Sequence, residues 1–190
     1  MRKGLADIAA RRFEAAHADA IQRIRSDVND PIPYYLLARI ALEHQNYLKS
    51  GELFAKARSL EPGEPLYVAG HAEYLVTVGQ QVEAMRLVGT MVGEDIDDAI
   101  TADTIGVVYS RTGFHENSIP FYQRAVELDP KPANFHYNLG AALQFAGKFE
   151  AAESAYKAAI EREADSYRAY SALVSLSRQT PEKNYLAKLE

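Results

Sequence analysis

Apolar residues along this chain recur three and four positions apart, the spacing that lines up one face of an α-helix. The pattern is clearest between Ala99 and Ser166. Leu139, Leu143 and Ala146 form one stripe, and Ala152, Ala155, Tyr156 and Ala159 form the next, with Gly147 breaking the run between them. Gly113 and Gly79 interrupt the pattern in the same way further upstream. A glycine can take the left-handed conformation that ends a helix. The pattern therefore predicts helix pairs joined by tight turns, and no sheet.

The whole pattern repeats. Ala102, Ile105, Gly106, Tyr109, Gly113, Ser118, Tyr122, Ala125 and Pro130 are followed 34 residues later by His136, Leu139, Gly140, Leu143, Gly147, Ala152, Tyr156, Ala159 and Ala164. The frame extends backwards without insertion. Residues 65–98 carry Val68, Ala72, Leu75, Gly79, Ala84, Val88 and Met91 at its landmarks, and residues 31–64 carry Tyr34, Leu37, Ala38, Ala41, Tyr47, Ser50, Phe54, Ala57 and Pro62. Residues 1–30 read as a truncated first unit, with Phe13, Ala16 and Ala20 in frame. Residues 167–190 read as a closing half-unit and cap, with Tyr170, Leu173, Val174 and Ser177.

This period and residue order resemble the tetratricopeptide repeat (TPR) family. The resemblance implies an all-α fold: a right-handed superhelical array of helix–turn–helix repeats, one domain over 1–190, with about twelve helices. One helix pair cannot bury its apolar face alone, whereas stacked neighbours can. Small residues at Ala38, Ala72, Gly106 and Gly140 let helix axes approach, as do Ala16, Ser50, Ala84, Ser118 and Ala152 on the second helices. Phe54, Val88, Tyr122 and Tyr156 fill the gaps that remain.

Local departures give further expectations. Gly89 and Gly93 predict a shortened helix and a longer loop in 65–98, where Glu94–Asp98 replaces the usual proline. Pro120 is tolerable only in a first turn, which places the start of its helix around Asn117 or Ser118. Pro62 and Pro130 stop the second helices of their units. Gly51 weakens its helix by roughly 1 kcal/mol relative to alanine.

Composition narrows the function classes. Of 190 residues, 47% are hydrophobic and 25% charged, as in a folded soluble protein. Net charge is −5, which argues against a broad footprint for nucleic acid. No cysteine is present, so thiol chemistry is excluded. No apolar run reaches the ~18 residues of a membrane span, and no signal peptide is evident at the start; the expected compartment is the cytoplasm. Basic residues Arg2, Lys3, Arg11, Arg12, Arg23 and Arg25 are read as a solvated outer face.

Catalytic and metal-binding patterns are not found. His17, His44, His71, His115 and His136 never fall at the spacing of a zinc helix. His71 and His136 occupy repeat landmarks and are read as packed, hydrogen-bonded side chains. The acidic run 94–98 lacks the glycine and trailing glutamate of a calcium loop and is read as helix capping. No phosphate loop and no nucleophile elbow occurs. The expectation is a non-enzymatic protein without cofactor or metal.

In TPR proteins the first helix of each unit lines a concave face. Chaperone-tail-binding members place Lys or Arg and Asn one turn apart on successive first helices to clamp a terminal carboxylate. Here the leading position holds Ile32, Leu66, Ile100, Asn134 and Arg168, and the partner position holds Leu36, Gly70, Thr104, Asn138 and Ala172. Only Asn138, with Arg168 next door, fits. What remains on that face is Tyr35, Arg39, Glu43, Asp103, Arg111, Tyr137, Asn138, Gln144, Phe145 and Arg178, rich in the aromatic and Arg types that dominate binding hot spots. The reading is a bacterial TPR scaffold for a protein or peptide. Tyr35, Tyr137 and Phe145 are its apolar anchors, Arg39, Asp103, Arg111, Asn138 and Arg178 set orientation, and Gln144 lies beside them. Nucleic acid and membrane are not expected partners.

Two alternatives accompany it. The tail from Arg178 to Glu190 resembles the junction where bacterial TPR arrays run into a sulfotransferase domain, which would make the chain an accessory domain of a larger enzyme. The other reading is self-association through the open ends near Phe13 and Tyr185.

Overall fold

The computed structural model describes residues 2–176, which form eleven helices and no strand. A twelfth helix, Arg178, Tyr185 and the sulfotransferase-like tail lie outside the described residues. Two compact units are present, Met1–Glu94 and Asp95–Glu190.

The first unit contains α1 (Arg2–Ala9), α2 (Phe13–Ser26), α3 (Pro31–Glu43), α4 (Tyr47–Leu60), α5 (Pro65–Thr77) and α6 (Gln81–Gly89). Each helix packs on the next in sequence, and α3 also meets α1 and α5. The second contains α7 (Ala99–Arg111), α8 (His115–Leu128), α9 (Ala133–Phe145), α10 (Phe149–Arg162) and α11 (Tyr167–Leu176). There α9 packs on α7, α8, α10 and α11. The architecture is all-α, built from helix hairpins.

The hairpin turns share one device. Arg11, Gln45, Gly79, Gly113 and Gly147 occupy the same column of the repeat, and all five have positive φ, from 57° to 88°. The residue after each one donates its N–H five residues back: Arg12 to Asp7, Asn46 to Ala41, Gln80 to Leu75, Phe114 to Tyr109 and Lys148 to Leu143, at 2.7–2.9 Å. This left-handed closure satisfies carbonyls that the helix end leaves open. Helix starts also repeat: Asp30, Glu64 and Asp98 accept from the N–H groups of Ile32, Leu66 and Thr101. Asp98 thus caps α7, the role expected of the acidic run.

Packing follows the alternation of small and large. A β-carbon on Gly106 would lie 2.6 Å from the Tyr122 ring, and one on Gly140 would lie 2.7 Å from the Tyr156 ring. In the first unit, Tyr35, Ala38, Phe54, Ala57, Leu66 and Tyr67 share a core, and buried Ser50 donates to the Ala38 carbonyl at 3.0 Å. Among the basic N-terminal residues, Arg12 pairs with Asp7 and Arg23 with Asp30.

Three local expectations need correction. Pro120 sits well inside α8, which starts at His115 rather than at Asn117 or Ser118. The turn at Gly113 fixes the entry, and both Pro120 and Glu116 are exposed. The Glu116 carbonyl, deprived of its helical partner, therefore faces water. Gly51 is not merely a weakness, because a β-carbon there would lie 2.4 Å from the Tyr74 hydroxyl. His71 is buried but not hydrogen-bonded at Nδ1; it lies against Phe54 and Tyr74. His136 does bond, through Nε2 to the Pro130 carbonyl at 2.9 Å. As expected, α6 is short, and an irregular segment separates it from α7.

Candidate functional site

The residues singled out from sequence fall in two places. In the first unit, Tyr35 is 1% exposed. Its ring meets Phe54 edge-on at 5.8 Å and Tyr67 at 5.6 Å. This corrects its assignment as an apolar anchor: the ring is core. The reason is local. The missing side chain of Gly70 vacates the space, and a β-carbon there would lie 2.5 Å from Tyr35. Arg39 pairs with Glu73, one repeat further on. Burial works against the Arg39 charge, but the carboxylates of Glu73 and Glu43 more than offset it, and its pKa is raised. That pair ties α3 to α5 and is structural in character.

The second unit gathers the rest. Asp103 on α7 accepts from the Asn138 side-chain amide on α9 at 2.9 Å. Gln144 on α9 accepts from the Tyr156 hydroxyl of α10 at 2.7 Å. Burial, with Tyr137 adding to it, pushes the Tyr156 pKa up to about 12, so this hydroxyl stays a donor at neutral pH. Tyr137 packs at 5.6 Å from the Tyr156 ring, and the Arg168 guanidinium of α11 lies over the Tyr137 ring, 4.3 Å from its centroid. Phe145 is 72% exposed, with His115 stacked on it at 4.2 Å. Arg111 ends α7 and is exposed.

Two hollows run along these helices. One, of about 310 Å³, lies between α7 and α9 and is lined by Val107, Arg111, His115, Tyr137, Asn138 and Phe145, with Arg168 at its margin. The other, of about 620 Å³, lies between α9 and α11 and is lined by Tyr137, Gln144, Phe145, Phe149, Tyr167, Arg168 and Ser175, among others. Tyr137, Ala141, Phe145 and Arg168 border both. The arrangement offers apolar surface, aromatic rings and two guanidinium groups. It offers no paired acid and base, and among the described residues no His, Asp and Glu cluster could hold a metal.

Sequence reasoning missed Arg168 as a site residue, together with His115, Phe149 and Tyr167. Arg168 was visible as the repeat's leading position. Its contact with Tyr137 depends on how α11 packs on α9, which one column of a repeat does not show.

Three family models match the chain. One described as TPR repeat covers residues 106–144, and two described as tetratricopeptide repeat cover 133–166 and 1–65. The chain is a tetratricopeptide-repeat protein. No curated protein matches it. Solved TPR structures do. A thermophilic TPR protein from Thermus thermophilus is 19% identical, with 92% of this chain and 97% of that one covered and a TM-score of 0.72. PilF of Pseudomonas aeruginosa is 12% identical, covers 92% and 80%, and has a TM-score of 0.70. YrrB, described as a TPR protein with an unusual peptide-binding site, is 19% identical, covers 89% and 87%, and has a TM-score of 0.60. At these identities the likeness concerns the fold. No helix among the described residues is long and apolar enough to cross a membrane.

Proposed function

We propose that this TPR protein is an interaction scaffold that holds a peptide segment along α7, α9 and α11. The observation that carries the reading is the continuity of the two hollows around an exposed Phe145, with Tyr137 and Arg168 on the shared border. An exposed aromatic beside apolar depressions is the usual form of a binding anchor, since a monomer gains nothing by leaving it in water. YrrB, which shares the fold, is described as having a peptide-binding site, and this supports a peptide as the kind of partner. Arg111, Asn138 and Gln144 supply polar contacts along the same path. Arg39 and Tyr35 are left out because their side chains serve the packing of the first unit.

The test is a random twelve-residue peptide library displayed against the immobilised full chain. Enriched peptides are then measured on a variant carrying Phe145→Ala and Arg111→Ala. Both side chains are exposed, so helix content stays unchanged by circular dichroism. A loss of tenfold or more in affinity is expected. Unchanged affinity, or no enrichment over a blank surface, rejects the site. The reading of residues 1–190 as one array belongs to the same proposal. Limited proteolysis between Thr90 and Asp98 checks it, and two separately stable halves would contradict it.

A further inference from the structure

Resting on that reading, we infer that the segment held along α7, α9 and α11 is acidic: carboxylate side chains flanking an aromatic or large aliphatic residue. The chain carries 26 acidic and 21 basic side chains, yet no Asp or Glu lines either hollow, whereas Arg111 and Arg168 do. Asp103, a groove carboxylate of the sequence reading, accepts from the Asn138 amide, which does not cancel its charge, but it is not among the lining residues of either hollow. The lining thus runs against the charge of the whole molecule.

Arg168 adds a second, independent argument. Arg12, Arg23, Arg39, Arg86, Arg124 and Arg162 all have carboxylate or carbonyl partners. Arg168, like Arg11, Arg25 and Arg58, has neither an ion pair nor a hydrogen bond among the described residues, and of these four it is the one held over an aromatic ring, that of Tyr137. A ring beneath a guanidinium fixes its place while leaving N–H donors for a planar acceptor, and carboxylate is the protein group that matches that fork. Phe145, stacked on His115 on one side, offers its remaining surface to the apolar residue of the same segment. Two cations are too few for the continuous phosphate track that single-stranded nucleic acid requires.

The same displayed library tests this, because its ends are fused and no free terminal carboxylate is available. Sequences enriched in Asp and Glu next to Phe, Tyr or Leu are expected. Arg168→Gln should weaken the best of them about tenfold, and Arg111→Glu combined with Arg168→Glu should turn the selection towards Lys and Arg. Identical charge content selected by wild-type and reversed chains overturns the inference. If binding still falls with Phe145→Ala, that result leaves the peptide site itself standing. Tighter binding of a mixed-sequence twelve-nucleotide RNA than of any enriched peptide also overturns it.

Discussion

Replacing Gly140 by alanine probes the packing rule of the second unit directly. A β-carbon there would lie 2.7 Å from two carbons of the Tyr156 ring and 3.2 Å from a third. Comfortable carbon contacts are about 3.5–4.0 Å, so the ring must retreat by about 1 Å. It has little room to do so. Tyr156 is 1% exposed and its hydroxyl is tied to Gln144 at 2.7 Å. Overpacking of this kind costs about 1–3 kcal/mol, while exchanging glycine for alanine within a helix returns about 1 kcal/mol. The net expectation is a loss of about 1 kcal/mol. Gly89 is the control: it is helical, with nothing within 4 Å of the added carbon, so Gly89→Ala should be neutral or stabilising. Urea unfolding followed by circular dichroism, at constant m-value, reads the difference. In the pair Gly140→Ala with Tyr156→Leu, the clash is gone, and the loss should fall short of the two single losses added together. If Gly140→Ala raises stability as Gly89→Ala does, the close approach of α9 and α10 is not what holds this hairpin.

Other outcomes follow from single features. Gln45 holds a left-handed conformation that glycine adopts in three equivalent turns, so Gln45→Gly should stabilise the first unit by about 1 kcal/mol, seen as a higher urea midpoint. Burial, with Arg58 reinforcing it and Glu83 opposing it, lowers the His71 pKa to about 4. The unfolded chain then binds the proton near 6.5 and the folded one does not, so stability is full above that pH and declines as pH falls towards 4. The largest effect is about 3 kcal/mol, and about 2 kcal/mol once partial screening is allowed. His71→Leu should flatten that part of the profile, and an unchanged profile would refute it. Arg39→Ala should cost about 1–2 kcal/mol, since its pair with Glu73 is only about one-fifth exposed; a double-mutant cycle with Glu73→Gln isolates the coupling.

Much of this was legible in the residues. The turns at Gly79, Gly113 and Gly147 announced themselves because only glycine takes positive φ without penalty. The same column holds Arg11 and Gln45, whose left-handed backbone no residue type advertised. Asp103 and Asn138, both assigned to the same face of the array from sequence, meet in a hydrogen bond because they sit about one period apart on facing helices. Tyr35 shares a column with Asp103 and Tyr137, yet its ring turns inward because Gly70 makes room on α5. A column fixes the face of a helix, while the neighbouring helix decides whether that face is open. Arg168 illustrates the converse, since its value comes from the ring beneath it and not from its own position in the repeat.

Amide chemical-shift mapping of the isotope-labelled chain, titrated with the tightest library peptide, addresses the central claim most directly. The largest shifts are expected in Val107–Arg111, Tyr137–Phe145 and Arg168–Ser175. Largest shifts in α2, α4 or on the outer side of α8 and α10, with those three segments unmoved, would contradict it.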